Sequence, residues 1–72
     1  MAAIHIYRKD GTVQVIPEEA VRMVEYLPAL GVVRVHFVHG DGALEVKMPE
    51  GKARLALEGF ATGYRATLRE EE

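Results

Sequence analysis

Two stretches of this sequence share one pattern, and the shared pattern constrains the fold more than any other feature. Residues 4–19 and 36–51 each contain a histidine, an aromatic residue, an Asp-Gly pair, an alternating apolar run and a Pro-Glu pair. Copies of one pattern are expected to form the same local elements. The sequence therefore predicts two ββα repeats, at about residues 3–30 and 32–61, and an old duplication explains them most simply.

Each repeat is predicted to open with a β-hairpin. Asp10-Gly11 and Asp41-Gly42 each lie between alternating apolar segments. A two-residue type I′ turn needs positive φ at both central positions, and Asp and Gly tolerate this conformation. The Val, Ile and Phe content of the flanking segments favours strands. The predicted strands cover residues 3–8, 12–16, 32–38 and 43–48.

A helix is predicted after each hairpin. A Pro-Glu pair suits a helix start, because the φ angle of proline is already helical and the carboxylate faces the positive end of the helix dipole. Apolar residues then recur at the spacing of one helical face. The two predicted stripes are Ala20, Met23, Val24 and Leu27, and Ala53, Ala56, Leu57 and Phe60.

The predicted architecture is a single α+β domain over residues 1–69, with the element order ββαββαβ. Its last strand covers residues 64–69, and the acidic residues 70–72 form a solvated tail. The order contains βαββαβ, as ferredoxin-like domains do, but a tight first hairpin competes with the ferredoxin strand arrangement. One antiparallel or mixed sheet in the order second-first-third-fourth, with both helices on one face, satisfies both hairpins. The fifth strand then lies at an edge or reaches another protomer.

The small size of the chain makes self-association an attractive source of stability. A domain of 72 residues buries a modest share of its surface on folding. The sequence has no Cys, so disulfides, thiolate nucleophiles and zinc-thiolate sites are excluded. Ser, Asn and Trp are also missing, a composition typical of thermophilic proteins and of GC-rich genomes alike. We therefore expect a homo-oligomer, most simply a dimer.

The composition also bears on location and on function class. The sequence has no basic and apolar leader and no apolar run of membrane-spanning length, so a cytoplasmic protein without membrane contact is expected. The net charge of −2 argues against nucleic-acid binding through overall positive charge.

Catalysis is not expected, because the sequence offers no Ser or Cys nucleophile and no paired acid and base. Glu45 is predicted to lie on a strand, where a cross-strand ion pair is its expected role. The segment from His39 to Gly42 joins two strands and is interpreted as a turn, not as a phosphate-binding loop. No cofactor is predicted.

Two histidines, His5 and His36, occupy the same position in the two repeats. If the first and third strands are neighbours, the two imidazoles approach each other and could hold a metal or form a pH-sensitive contact. The favoured interpretation is two separate, partly exposed strand histidines, so no metal site is predicted. His39 points to the opposite face from His36, because side chains alternate along a strand.

The open face of the predicted sheet is the main candidate site. Alternation directs Val13 and Val15, among other apolar residues, toward the helices and leaves a locally basic surface opposite. This surface is the expected interface between protomers, the alternative being single-stranded nucleic acid or another anion with Tyr7 as a stacking platform. A solvated face with ordinary ion pairs is the third interpretation. The candidate residues are His5, Tyr7, Arg34, His36, Lys47, Arg65 and Arg69.

Overall fold

The structure, a computed structural model, describes residues 3–71 and shows a small α+β fold with six strands and one α-helix among them. The α+β class is confirmed, and the prediction of two α-helices is wrong. The elements in chain order are β1 (Ala3–Tyr7), β2 (Val13–Pro17), a 3-10 turn (Glu18–Ala20), β3 (Val21–Leu27), β4 (Val32–Phe37), β5 (Ala43–Lys47), α1 (Glu50–Ala61) and β6 (Ala66–Arg69).

The strands form two sheets of three strands instead of one. Sheet A has the order β2-β1-β6, with β1 antiparallel to β2 and parallel to β6. Sheet B has the order β3-β4-β5 and is antiparallel throughout. The predicted order required β1 beside β4, and this pairing is wrong because β6 takes the second side of β1 and β3 takes the second side of β4.

The segment predicted as the first helix is a strand. After Pro17 the chain makes one 3-10 turn and then enters β3, which pairs with β4. Val24 and Tyr26 pack against the core, whereas Met23 is exposed, so β3 follows the two-residue period of a strand. The second predicted helix is confirmed as α1. The two halves are therefore not structural repeats, because a Pro-Glu pair leads into a strand in one half and into a helix in the other.

Both sheets and the helix bury their inner sides in one core. β1, β4 and β6 each contribute two alternate residues to it, and α1 contributes two alanines. The core residues are Ile4, Ile6, Ile16, Val33, Val35, Val46, Met48, Ala53, Ala56, Ala66 and Leu68. The sides of the two sheets that face away from this core are called the outer faces below.

The first hairpin lies where the sequence places it, but its turn has a different geometry. The N–H of Arg8 donates to the carbonyl of Thr12 (2.8 Å), and the N–H of Gly11 donates to the carbonyl of Arg8 (3.1 Å). Of the loop residues 9–11 only Gly11 has positive φ (95°), and the Asp10 carboxylate accepts from the N–H of Thr12 at 2.8 Å. These bonds define a three-residue loop with glycine at its last position, not a type I′ turn.

The extra loop residue reverses the faces of β2. In the observed register Ile6 pairs with Gln14, whereas a two-residue loop would have paired Ile6 with Val15. A shift of one residue moves every side chain to the other face of the sheet. Ile16 is therefore buried and Gln14 half-buried, while Val13 and Val15 are 56% and 57% exposed. The prediction that both valines face the core is wrong.

Glu70 and Glu71 form hydrogen bonds with the rest of the fold, contrary to the predicted solvated tail. The N–H of Glu70 donates to the carbonyl of Tyr7 (2.9 Å), and the N–H of Glu71 donates to the carbonyl of Lys47 (2.7 Å). The Glu70 carboxylate accepts from the N–H of Lys9 and from Arg8 Nη1, both at 3.1 Å. The Lys9 N–H, followed by Arg8, lowers the pKa of Glu70. Glu72 lies outside the described residues.

The turn of the second hairpin, between β4 and β5, needs glycine at residue 40 and not at residue 42. Gly40 has positive φ (83°), whereas Gly42 does not, and a Cβ at either position would meet no atom within 4 Å. We expect Gly40→Ala to lower the free energy of unfolding by about 1–2 kcal/mol, because an L-residue is strained in the left-handed region. We expect Gly42→Ala to change it by less than about 0.5 kcal/mol. Urea denaturation of both variants checks this, and equal losses would contradict the turn assignment.

Candidate functional site

The structure divides the predicted basic surface between two outer faces. His5, Tyr7 and Arg69 lie on the strands of sheet A, and Arg65 lies just before β6. The other three candidates, Arg34, His36 and Lys47, lie on the strands of sheet B. The expectation of one continuous surface is wrong, because β1 and β4 belong to different sheets.

On sheet B two of the three candidates, Arg34 and His36, meet carboxylates, whereas Lys47 forms no salt bridge among the described residues. Cross-strand pairing sets Arg34 beside both Glu25 and Glu45. Arg34 Nε donates to Glu45 Oε2 at 2.7 Å, and His36 Nε2 lies 2.5 Å from Glu25 Oε2. The role expected for Glu45, a cross-strand ion pair, is confirmed. This outer face therefore holds an Arg34–Glu45 ion pair and a His36–Glu25 hydrogen bond beside Lys47, so two of its three candidate residues are already bonded to carboxylates.

The two histidines lie apart in the topology. His5 is on the central strand of sheet A, and His36 is on the central strand of sheet B, bonded to Glu25. This separation agrees with the favoured interpretation of two separate strand histidines, and it excludes the alternative in which the two imidazoles approach each other across neighbouring strands. Within residues 3–71 no group of three or more His, Asp or Glu side chains is arranged to hold a metal ion.

On sheet A the side chain of Tyr7 is held between two arginines. The guanidinium carbon of Arg69 lies 4.6 Å from the centroid of the Tyr7 ring, which is the geometry of a cation–π contact. Arg65 Nη2 donates to the Tyr7 hydroxyl at 3.1 Å. The sequence predicted that these three residues share a surface, and the structure brings them into contact.

Beside this cluster a groove of about 390 Å³ runs between α1 and β6. Its volume falls in the range of small-molecule sites. Sequence analysis missed Lys52 as a neighbour of Arg65 and Arg69, although Lys52, Leu55 and Ala56 have the spacing of one helical face. Leu55 is 70% exposed. The groove is lined by Met48, Lys52, Leu55, Ala56, Arg65, Thr67 and Arg69.

The free edge of sheet A, strand β2, has an unusual character for a strand edge. β2 pairs with β1 on one side only, and it has no charged residue along its length. Its exposed valines, Val13 and Val15, lie on the outer face. Proteins normally protect edge strands with charges, bulges or covering elements, because unpaired backbone groups attract other strands.

Each of the other outer strands contacts a further part of the chain. β3 has a bulge around Arg22 and packs against α1. On β5 the carbonyls of Glu45 and Lys47 accept bonds from Arg8 Nη1 and from the N–H of Glu71. β6 packs against α1. Among the strands of residues 3–71, β2 therefore has the most open edge.

Two carboxyl groups, those of Asp10 and Glu70, have lowered pKa values, and hydrogen bonds explain both. The N–H of Thr12 lowers the pKa of Asp10 within the first turn. The pKa of Glu70 is lowered chiefly by the N–H of Lys9, as described above. The lowered pKa values of both carboxyl groups thus follow from hydrogen bonds that hold the first turn and the C-terminal residues in place.

Comparison with known proteins does not assign the chain to a family. No protein-family model matches the chain, and no curated protein or solved structure is significantly similar to it. None of the helices among residues 3–71 is long and apolar enough to cross a membrane. The free edge of β2 and the groove beside β6 are therefore the two surface features of sheet A that can support a function.

Proposed function

We propose that this protein is a non-enzymatic interaction module that forms a dimer by pairing β2 of one copy with β2 of a second. The observation that carries this proposal is the uncharged free edge of β2 with Val13 and Val15 more than half exposed. A small core without disulfides gains most from such an added contact. A second copy is the favoured occupant, because antiparallel pairing of one strand with itself gives the two-fold symmetry of a closed dimer.

The backbone groups available at this edge follow from the hairpin. Hydrogen-bonded and non-hydrogen-bonded pairs alternate along an antiparallel ladder. Arg8 and Thr12 form a hydrogen-bonded pair, so the next pair, which contains Val13, is not hydrogen-bonded. The same alternation applies to the pair containing Val15. The N–H and C=O groups of Val13 and Val15 therefore point away from β1, toward the free edge.

One register satisfies all four of these groups in a two-fold dimer. It places Gln14 opposite Gln14 of the second copy, so that Val13 and Val15 pair with each other in both directions. Four backbone hydrogen bonds result, and four valine side chains meet on one face of a six-stranded sheet. The register centred on Val15 is poorer, because it sets Val13 opposite Pro17, which has no N–H.

Nucleic-acid binding across the open sheet faces has weaker support. The cation–π contact with Arg69 occupies a face of the Tyr7 ring, and single-strand binders use such faces for stacking. Arg34 and His36 are paired with carboxylates on the other sheet. A sheet-surface reader of nucleic acid typically has two or three free aromatic side chains.

The mass of the chain in solution tests the proposal. Edge pairing buries less surface than a standard interface, so the dimer should be weak. At a chain concentration of about 100 μM we expect a species of twice the 8.0 kDa mass of one chain. Backbone bonds and valine contacts carry no net charge, and we expect the dimer to persist when salt is raised tenfold. Sedimentation equilibrium at both salt concentrations measures this. Dissociation by salt would assign the contact to the charged faces instead, and a monomer throughout would refute it.

A further inference from the structure

We propose that the groove between α1 and β6 binds a small organic phosphate, a phosphate monoester on an apolar or aromatic body. This site lies on the β6 side of sheet A, at the opposite edge from β2. The proposal is therefore independent of self-association through β2, and either one can fail without the other.

Uncompensated positive charge is the first argument for this ligand. Lys52, Arg65 and Arg69 line the groove, and none of them forms a salt bridge within residues 3–71. The groove lining contains no carboxylate. Elsewhere Arg8, Arg34 and Arg54 each have a glutamate partner, while the other cations, Lys9, Arg22 and Lys47, form no salt bridge among the described residues. An acidic chain that keeps three unpaired cations around one groove is electrostatically complementary to an anion.

The number and kind of cations favour phosphate over carboxylate. A phosphate monoester carries a charge of about −1.5 to −2 at pH 7, and it offers three acceptor oxygens. A single carboxylate would leave more of the positive charge unmatched. Arginine presents planar, paired donors that suit phosphate oxygens, and the Thr67 hydroxyl lies in the same lining as a further donor.

The rest of the groove suits an apolar body attached to the phosphate. Met48, Leu55 and Ala56 supply its apolar lining, and Leu55 is 70% exposed without a ligand. A methionine sulfur also contacts aromatic rings favourably. Arg65 and Arg69 are positioned in advance by Tyr7, so less side-chain freedom is lost on binding. A nucleoside monophosphate has this combination of a dianion and an aromatic body.

Calorimetric titration with AMP, adenosine and inorganic phosphate tests the proposal. We expect AMP to bind with a Kd below about 1 mM, and adenosine and phosphate each to bind at least about tenfold more weakly. Lys52→Gln and Arg65→Gln should each weaken AMP binding by about tenfold, which corresponds to the loss of one charge-assisted bond. Leu55→Glu should abolish it, because a carboxylate then enters the groove. Circular dichroism establishes that each variant is folded.

The matched control is Arg22→Gln, which makes the same charge change at a cation outside the groove. Its AMP affinity should equal that of the unaltered chain. The proposal is overturned if AMP does not bind at 10 mM, on the order of the weakest useful affinity, if adenosine binds as well as AMP, or if Arg22→Gln weakens binding as much as Lys52→Gln. It is also overturned if a thymidine decanucleotide without a terminal phosphate binds more tightly than AMP, since the partner would then be single-stranded nucleic acid.

Discussion

Replacing Val13 and Val15 together by lysine is expected to convert the dimer into a monomer while the chain stays folded. In the proposed register the two positions of one copy face the same two of the other, so four ammonium groups would meet at the seam. Like charges directly opposite each other destabilise strand pairing, and edge lysines are a common protection against it. Because both valines are more than half exposed within the chain, the free energy of unfolding should change by less than about 1 kcal/mol.

The control for this double variant is Val38→Lys. Val38 is an exposed valine, 46% accessible, that follows β4 and is not part of β2. Sedimentation equilibrium at matched concentrations should show a dimer for Val38→Lys and a monomer for the double variant. A double variant that remains dimeric would show that β2 is not the interface, and a monomeric Val38→Lys would indicate a general effect of added charge.

The hairpins and the second helix could be predicted from local patterns. Asp-Gly pairs between apolar runs marked both hairpins, and the segment 50–61 combined a proline start with strong helix formers. Turn geometry was harder to predict. Asp10-Gly11 is compatible with loops of two or three residues, and that single residue decides whether Val13 and Val15 are buried or exposed.

The strand β3 could not be separated from a helix by its sequence. Ala20, Met23, Val24 and Leu27 fit a helical face, while Val24 and Tyr26 equally fit one face of a strand. Pairing along β4 favours the strand, and such a tertiary contact overrides a local preference. Once β3 occupies the side of β4, the predicted single sheet cannot form.

The sequence predicted which candidate residues lie on outer sheet faces, but it did not predict which of them share one face. Tyr7, Arg65 and Arg69 do lie together, because β1 and β6 are neighbours in parallel register. Arg34, His36 and Lys47 do not join them, since their strands belong to sheet B. The helical spacing of Lys52, Leu55 and Ala56 marks one face of α1, but it does not reveal that this face meets β6, so Lys52 joins the groove only through the packing of α1 against β6.

A disulfide cross-link at residue 14 tests the proposed pairing of the two β2 strands, because Gln14 lies at the centre of the paired segment. In the proposed register Gln14 faces its own symmetry mate in a non-hydrogen-bonded pair, where Cα atoms are about 4.5 Å apart. Disulfides form across Cα distances of about 4.4–6.8 Å. The chain has no cysteine of its own, so Gln14→Cys introduces one thiol per copy. Mild oxidation should therefore convert most of this variant into a covalent dimer.

Thr12→Cys is the matched control on the same edge. In the proposed register Thr12 lies opposite residue 16 of the second copy, and the two Thr12 positions are about 14 Å apart along the strands, at about 3.4 Å per residue. Non-reducing electrophoresis after mild oxidation measures the cross-linked fraction of each variant. The account predicts a covalent dimer for Gln14→Cys and a monomer for Thr12→Cys; equal cross-linking of the two, or none at Gln14, would contradict symmetric pairing through β2.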